Sequence, residues 1–360
     1  MIVWFAAAIP ESSAGGVARS MRELSSGLSR RGHECRIVDT GDSPGNYLAF
    51  AVRLLLLFIF QVRKRPDWII GRSTDAILCA VVARLFHLKT RTALHSHGWE
   101  EKVYETEQRL PSAFVSPKTT WKARIVRFPL LRLMLACCDA CVCGTIEEAR
   151  SLRSRYPGQK KKIVCIPNGV MVREKQFWDW KPVPAARFLA VGTMTWKKNI
   201  HHAVKVFCAV RKTIPSATLT IIGCSQEELF RETGTSAADG ITAVSHEAPE
   251  RMASWYETCP FFISSSLYEG GRSLAVLEAM SFGCVVFVSP IPSSIEFIKN
   301  RVNGIVLTSL CPEDDAAVVV TAVRSPALCA SVGRRAFSFA ARQSWDRQSG
   351  RLEKVVCGPR

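Results

Sequence analysis

With 360 residues, 48% hydrophobic and 22% charged, the chain is long enough for two domains with full cores and has the balance of a soluble globular protein. The formal net charge of +17 is uneven: residues 1–178 carry 28 Lys/Arg against 15 Asp/Glu, the remainder 20 against 16. Fourteen cysteines are scattered without zinc-finger spacing, so buried thiols in a reducing cytoplasm are expected rather than a disulfide or metal framework. No nucleic-acid-binding motif accompanies the basic charge, which argues against a nucleic-acid partner.

Taken in chain order, short apolar runs alternate with helical periodicity. The N-terminal run 2–9 reads as a buried strand, since it lacks the basic flank and the length of a signal peptide. Val17, Met21, Leu24 and Leu28 then follow at helical spacing, closed by Gly32. Strands are expected at 35–39, 67–71, 92–96, 140–144 and 162–167. The apolar stretch 47–62 carries Arg53 and falls short of the ~20 residues that a membrane span needs. It is expected as a core helix, ahead of a membrane-surface helix.

Residues 173–187, with two prolines and little periodicity, read as a domain junction. A second series follows, with strands at 188–192, 217–223, 240–244, 261–266, 284–289 and 304–307 and a helix from Ile200 to Lys212. Strands alternating with helices imply parallel sheets covered on both faces. Ligands of such sheets bind at the C-terminal ends of the strands.

The richest stretch is "FFISSSLYEGGRSLAVLEAMSFGCVVFVS", a strand, a glycine-rich loop, a helix and a strand. Gly270 and Gly271 let the backbone turn sharply and approach a ligand. The helix beginning near Ser273 points free N–H groups and the positive end of its dipole at that loop, an arrangement suited to phosphate. Glu278 shares a helical stripe with Leu274, Leu277 and Ser281. A ribose diol would satisfy that inward carboxylate, as would a structural salt bridge.

"VGTMTWKKNI" is another strand-end loop, with Lys197 and Lys198 at its mouth. The pair is either a diphosphate site or surface charge. "IPESSAGGVARSM" places Gly15 and Gly16 before a helix. "ALHSHGW" puts two histidines at a strand end, His97 being either a site residue or a satisfied structural histidine. The basic segments 118–136, with Lys118, Lys122, Arg124, Arg127 and Arg132, and 149–173 contain no acid. They suggest an anionic membrane surface or a solvated basic face.

These pieces in this order resemble a retaining GT-B glycosyltransferase of the family-4 (group 1) type. The pieces are "AGGVAR", "HSHG", "IPNGV", "VGTMTWKKN", "LTIIG", the 264–307 block and "SWDRQSGRLEKV". The resemblance implies an α/β GT-B fold, two Rossmann-like doubly wound domains facing each other across a cleft. The acceptor-side domain would be 1–178 plus a returning C-terminal helix in 343–360, and the sugar-nucleotide-binding domain 179–342.

By the same resemblance, Glu278 binds the ribose and Glu269 approaches the transferred sugar. Lys198 neutralises the leaving diphosphate, and His97 positions the sugar. Gly15, Gly16, Lys197, Gly270, Gly271 and Ser273 line the donor. The implied partners are a nucleotide diphosphate sugar and a glycan or lipid-linked acceptor, with work in cell-envelope polysaccharide or glycolipid synthesis at the inner face of the cytoplasmic membrane. No cofactor or metal is expected.

Two positions depart from the family pattern. Eight residues, not seven, separate Glu269 from Glu278, and Thr193 stands where an arginine usually follows the strand end. Arg272, directly after the glycine pair, either replaces that arginine on the phosphate or faces solvent on a lengthened loop. The alternative functions are a nucleotide-sugar epimerase or phosphorylase on the same fold, and a catalytically weak binding or scaffold subunit.

Overall fold

The computed structural model describes residues 1–10, 15–40, 47–61, 65–110, 123–174, 178, 180, 186–248, 250–308 and 311–358. The chain forms two compact units, 1–169 with 345–360 and 170–344. The break after Gly169 precedes the irregular 173–187 stretch. Val170 forms a bridge with Ser344 and is buried in the second unit's core, and Trp178 packs against that core.

In the first unit the order is β1 (Ile2–Ala6), α1 (Gly16–Arg30), β2 (Glu34–Val38), α2 (Tyr47–Phe60), β3 (Trp68–Arg72) and α3 (Ile77–Leu85). Then come β4 (Arg91–His95), α4 (Glu100–Glu107), α5 (Phe128–Cys137), β5 (Ala140–Cys143), α6 (Ile146–Arg155) and β6 (Ile163–Cys165). The sheet is parallel in the order β2-β1-β3-β4-β5-β6. Its central strands are covered on both faces and are therefore apolar throughout, as in "WFAA" and "ACVC".

The second unit repeats the plan. It runs β7 (Arg187–Val191), α7 (Ile200–Thr213), β8 (Thr218–Ile222), α8 (Gln226–Thr233), β9 (Ile241–Val244), α9 (Met252–Thr258), β10 (Phe261–Ser264) and α10 (Leu274–Ser281). After these come β11 (Val285–Val288), α11 (Pro292–Ile295), β12 (Ile305–Val306), α12 (Pro312–Val323) and α13 (Pro326–Ala341). The parallel order is β12-β11-β10-β7-β8-β9. Phe188 is the centre of its core, stacked on Phe261 at 5.1 Å and edge-on to Phe207 at 5.9 Å. A fully buried phenylalanine of this kind contributes roughly 2–3 kcal/mol of transfer free energy.

Helix α14 (Trp345–Val356) returns to the first unit and lies along α1. A Cβ at Gly27 would stand 2.5 Å from the Ser349 Cβ, so glycine is what lets the two helices touch. Arg31 bonds Asp346 at 3.0 Å and Glu353 at 3.2 Å, and the Trp68 indole N–H donates to the Val356 carbonyl at 2.9 Å.

Helix α2 is only half a core helix. Phe50, Ala51, Leu54 and Phe58 are buried, while Val52, Leu56, Ile59 and Phe60 are exposed. In the 149–173 segment several cations are bound within the unit. Arg153 donates to the Ile163 carbonyl, Arg155 bonds Glu101 and Glu105, and Lys162 reaches the carbonyls of Ala136 and Cys138. Lys118 and Lys122 lie outside the described residues, as does the side chain of Arg124. Among the described residues no single helix is long and apolar enough to cross a membrane.

Candidate active site

In the second unit the loops after β7 and β10 meet. The carbonyl of Lys197 accepts the Leu267 N–H at 2.8 Å, and Ser265 donates its hydroxyl to the Asn199 carbonyl at 2.7 Å. Asn199, which caps α7, is left-handed with φ 47°, so the chain turns sharply after the lysine pair. The turn carries the Lys198 ammonium to Glu269, Nζ to Oε1 at 2.6 Å, and the Ser266 hydroxyl donates to the same oxygen at 2.8 Å. Lys197 points elsewhere, its ammonium 5.8 Å from the rings of Trp196 and Tyr268.

Two glycines near the end of β7 have no room for a Cβ. Gly223 has φ +124°, and a Cβ on it would meet the Gly192 carbonyl oxygen at 2.6 Å. A Cβ on Gly192 would press on the Lys198 side chain at 2.9 Å. Gly270 and Gly271, by contrast, are not among the residues with positive φ.

Ser273 caps α10 through its backbone and is buried. Glu278, one turn into that helix, is half-buried and accepts the Tyr256 hydroxyl at 2.9 Å. Tyr256 is itself held by stacking on Phe282 at 5.3 Å. The structure therefore brings Lys198 and Glu269 into one ion pair and places Glu278 on the helix that follows. Thr193, in the same strand-end loop as Lys198, adds no charge.

Arg272 does not face solvent. It is 9% exposed, bonds Glu296 at 3.3 Å and Gln343 at 2.9 Å, and lies over the rings of Phe297 and Phe339.

In the first unit the polar groups gather at the C-terminal ends of β1, β3, β4 and β5. Gly15 is the extended N-cap of α1 and Gly16 its first residue. His97 follows β4, its ring 4.2 Å from that of His95, and Gly98 turns the chain with φ 109°. Burial pushes His95 down to about 4, and burial with His95 and Arg72 nearby holds His97 well below the usual histidine range. His97 Nε2 and His95 Nδ1 are buried without a hydrogen-bond partner.

Sequence reasoning missed two carboxylates here. Asp75, 2% exposed, accepts the Ala8 N–H at 2.7 Å and pairs with Arg72 at 3.2 Å, fixing the end of β1. Burial raises its carboxyl to about 6. Glu148 accepts the Ser96 hydroxyl at 2.7 Å and the Gly144 N–H at 3.2 Å, tying the ends of β4 and β5 together. Burial pushes it up to about 7. A signal for Glu148 did exist: Thr145 and Glu148 have capping-box spacing, and the Thr145 hydroxyl accepts the Glu148 N–H at 3.0 Å. Among the described residues no three His, Cys, Asp or Glu side chains converge on a metal position.

Residues 14–174 match the family described as Glycosyltransferase Family 4, and residues 185–325 match Glycosyl transferases group 1. The chain belongs to the family-4, group 1 glycosyltransferases. Its similarity to a D-inositol 3-phosphate glycosyltransferase of Nocardiopsis dassonvillei is 23% identity over 237 residues, covering 60% of this chain and 55% of that one. The chain thus spans about half the length of the curated relatives it matches.

Among solved structures, sucrose-phosphate synthase from Thermosynechococcus elongatus superposes with a TM-score of 0.80 at 14% identity, covering 98% of this chain and 97% of that one. Anabaena HepE, solved in complex with UDP-glucose, superposes with a TM-score of 0.72 at 13% identity, covering 99% of each chain. The likeness is one of fold: two Rossmann-like units of the GT-B type.

Proposed function

We propose that the chain transfers a sugar, with retention of anomeric configuration, from a nucleoside diphosphate sugar to a glycan or lipid-linked acceptor in cell-envelope synthesis, and that it works on the cytoplasmic side. The observation that carries this reading is the Lys198–Glu269 pair at the strand ends, with Glu278 on the following helix. Breaking a sugar–diphosphate bond builds negative charge on the leaving group and positive charge on the sugar. Lys198 stabilises the first. Glu269 holds the ammonium until the diphosphate arrives and then lies beside the sugar.

Glu278 accepts the ribose hydroxyls, with Tyr256 orienting its carboxylate. His97, whose Nε2 has no protein partner, is available to a sugar hydroxyl. The UDP-glucose complex of HepE, a protein of like fold, supports a nucleotide-sugar donor.

The test is a thermal-shift screen across UDP-, GDP- and ADP-sugars, followed by transfer assays in which the anomeric configuration of the product is read by NMR. A ligand that binds only the folded state raises the melting midpoint. A rise with one donor and a retained configuration are expected. No shift with any nucleotide sugar, or an inverted product, overturns the proposal.

A further inference from the structure

We infer that helices α2, α3 and α5 of the first unit form a docking surface for an anionic lipid bilayer. Helix α3 packs against both α2 and α5, so the three lie side by side. Each leads into a parallel strand of the same sheet, and right-handed crossovers place them on one face. Together they leave Val52, Leu56, Phe60, Leu85, Phe86 and Leu133 exposed, with Phe60 76%, Leu85 68% and Phe86 70% accessible. Elsewhere exposed apolar side chains such as Phe230 and Ile295 belong to separate elements of the second unit. Single exposed apolar residues are ordinary, but a row along α2 beside the exposed end of α3 and Leu133 of α5 is not.

Charge selects the occupant. The sequence from 43 to 66, 76 to 99 and 108 to 138 contains these helices and their flanks. It has four, three and six Lys/Arg respectively and no Asp or Glu, while α4, between the last two segments, brings Glu100, Glu101, Glu105 and Glu107; Arg63, Lys64, Lys118 and Lys122 lie outside the described residues. Four of these cations are used by the fold: Arg53 donates to the Asp39 carbonyl at 3.2 Å, Arg91 lies over Trp68, Arg132 bonds Glu101 at 2.7 Å, and Arg127 approaches Glu100 at 3.8 Å. Arg84 and Lys89 flank the exposed end of α3. Exposed apolar side chains flanked in sequence by the exposed Arg65, Arg84, Lys89 and Arg109 match an interface of acyl chains and anionic headgroups. A second copy of this chain would bring the same positive charge to the contact and be repelled.

Because α2, α3 and α5 run back along the sheet, Phe60, Leu85 and Phe86 sit at its N-terminal edge. The loops bearing Gly15 and His97 lie at the opposite edge, so lipid contact leaves them open. The inference therefore stands apart from the donor chemistry, and its failure leaves the transferase reading untouched.

The experiment is co-sedimentation of the full chain with phosphatidylcholine vesicles, with and without phosphatidylglycerol. A Leu56→Ser/Phe60→Ser/Phe86→Ser variant is compared, with its fold checked by circular dichroism and its donor response by thermal shift. The wild type should partition to the anionic vesicles, release as salt is raised, and lose about tenfold or more in partition on substitution. Failure of the wild type to bind anionic vesicles overturns the inference, as does equal partition of a folded variant. So does a wild-type dimer in lipid-free sedimentation that the variant abolishes while vesicle binding persists, which identifies a self-interface instead.

Discussion

The ammonium of Lys198 stands 2.6 Å from Oε1 of Glu269, although 70 residues separate the two in sequence, and Ser266 donates to the same oxygen at 2.8 Å. The pair is partly open to solvent, at 31% and 13% of the two side chains, so a diphosphate can compete for the lysine. Lys198→Ala should lower kcat by about a hundredfold, the usual effect of removing one group that stabilises developing charge. Donor affinity should change much less. Steady-state kinetics with donor varied decide this, and a change confined to KM makes the lysine a binding residue only.

If Glu278 holds the ribose as proposed, Glu278→Gln should weaken donor binding by on the order of 2 kcal/mol through loss of charge-assisted bonds. Tyr256→Phe removes the hydroxyl that orients the carboxylate and should cost a fraction of that. Titration calorimetry with the nucleotide measures both. Unchanged affinity in Glu278→Gln removes the ribose from its role.

Glu148 predicts a pH effect on stability. Its carboxyl is raised from 4.5 to about 7 in the fold, so its favourable contribution is fully present below 4.5 and is lost as pH rises through about 7. His95, lowered to about 4, works in the opposite sense, contributing above 6.5 and losing that contribution as pH falls through about 4. The stability of the wild type minus that of Glu148→Gln cancels groups common to both. That difference should fall by up to roughly 3 kcal/mol between pH 4.5 and 8. Denaturant titrations of both proteins across this range measure it, and a flat difference would falsify the raised carboxyl.

Arg272 offers a choice between two roles that a melting curve separates. Its bonds to Glu296 and Gln343 are nearly buried, so Arg272→Ala strands a carboxylate and should destabilise by roughly 3 kcal/mol. If the guanidinium instead serves the donor phosphate in place of the arginine absent at Thr193, the melting midpoint stays put while transfer falls. In that case Thr193→Arg should restore part of the activity in the double variant.

The twelve strands among the described residues were legible in the amino-acid sequence, each within a few residues, because the central strands, buried on both faces, must be continuous apolar runs. The glycine pair before α10 and the lysine pair before α7 drew notice in the sequence for a simpler reason: glycines and adjacent cations stand out beside apolar strands. Only the tertiary structure could join residues far apart in the chain. Ser96 and Glu148 meet because β4 and β5 are neighbours, and Asp75 meets Ala8 because β3 lies beside β1. The side of α2 that stays exposed was decided the same way. Apart from Arg53 its composition is apolar nearly all round, so little periodicity marks a face, and only one side is buried. Arg272 is the plainest case: its sequence neighbours place it in a loop, and Glu296, Gln343 and two aromatic rings draw it inward.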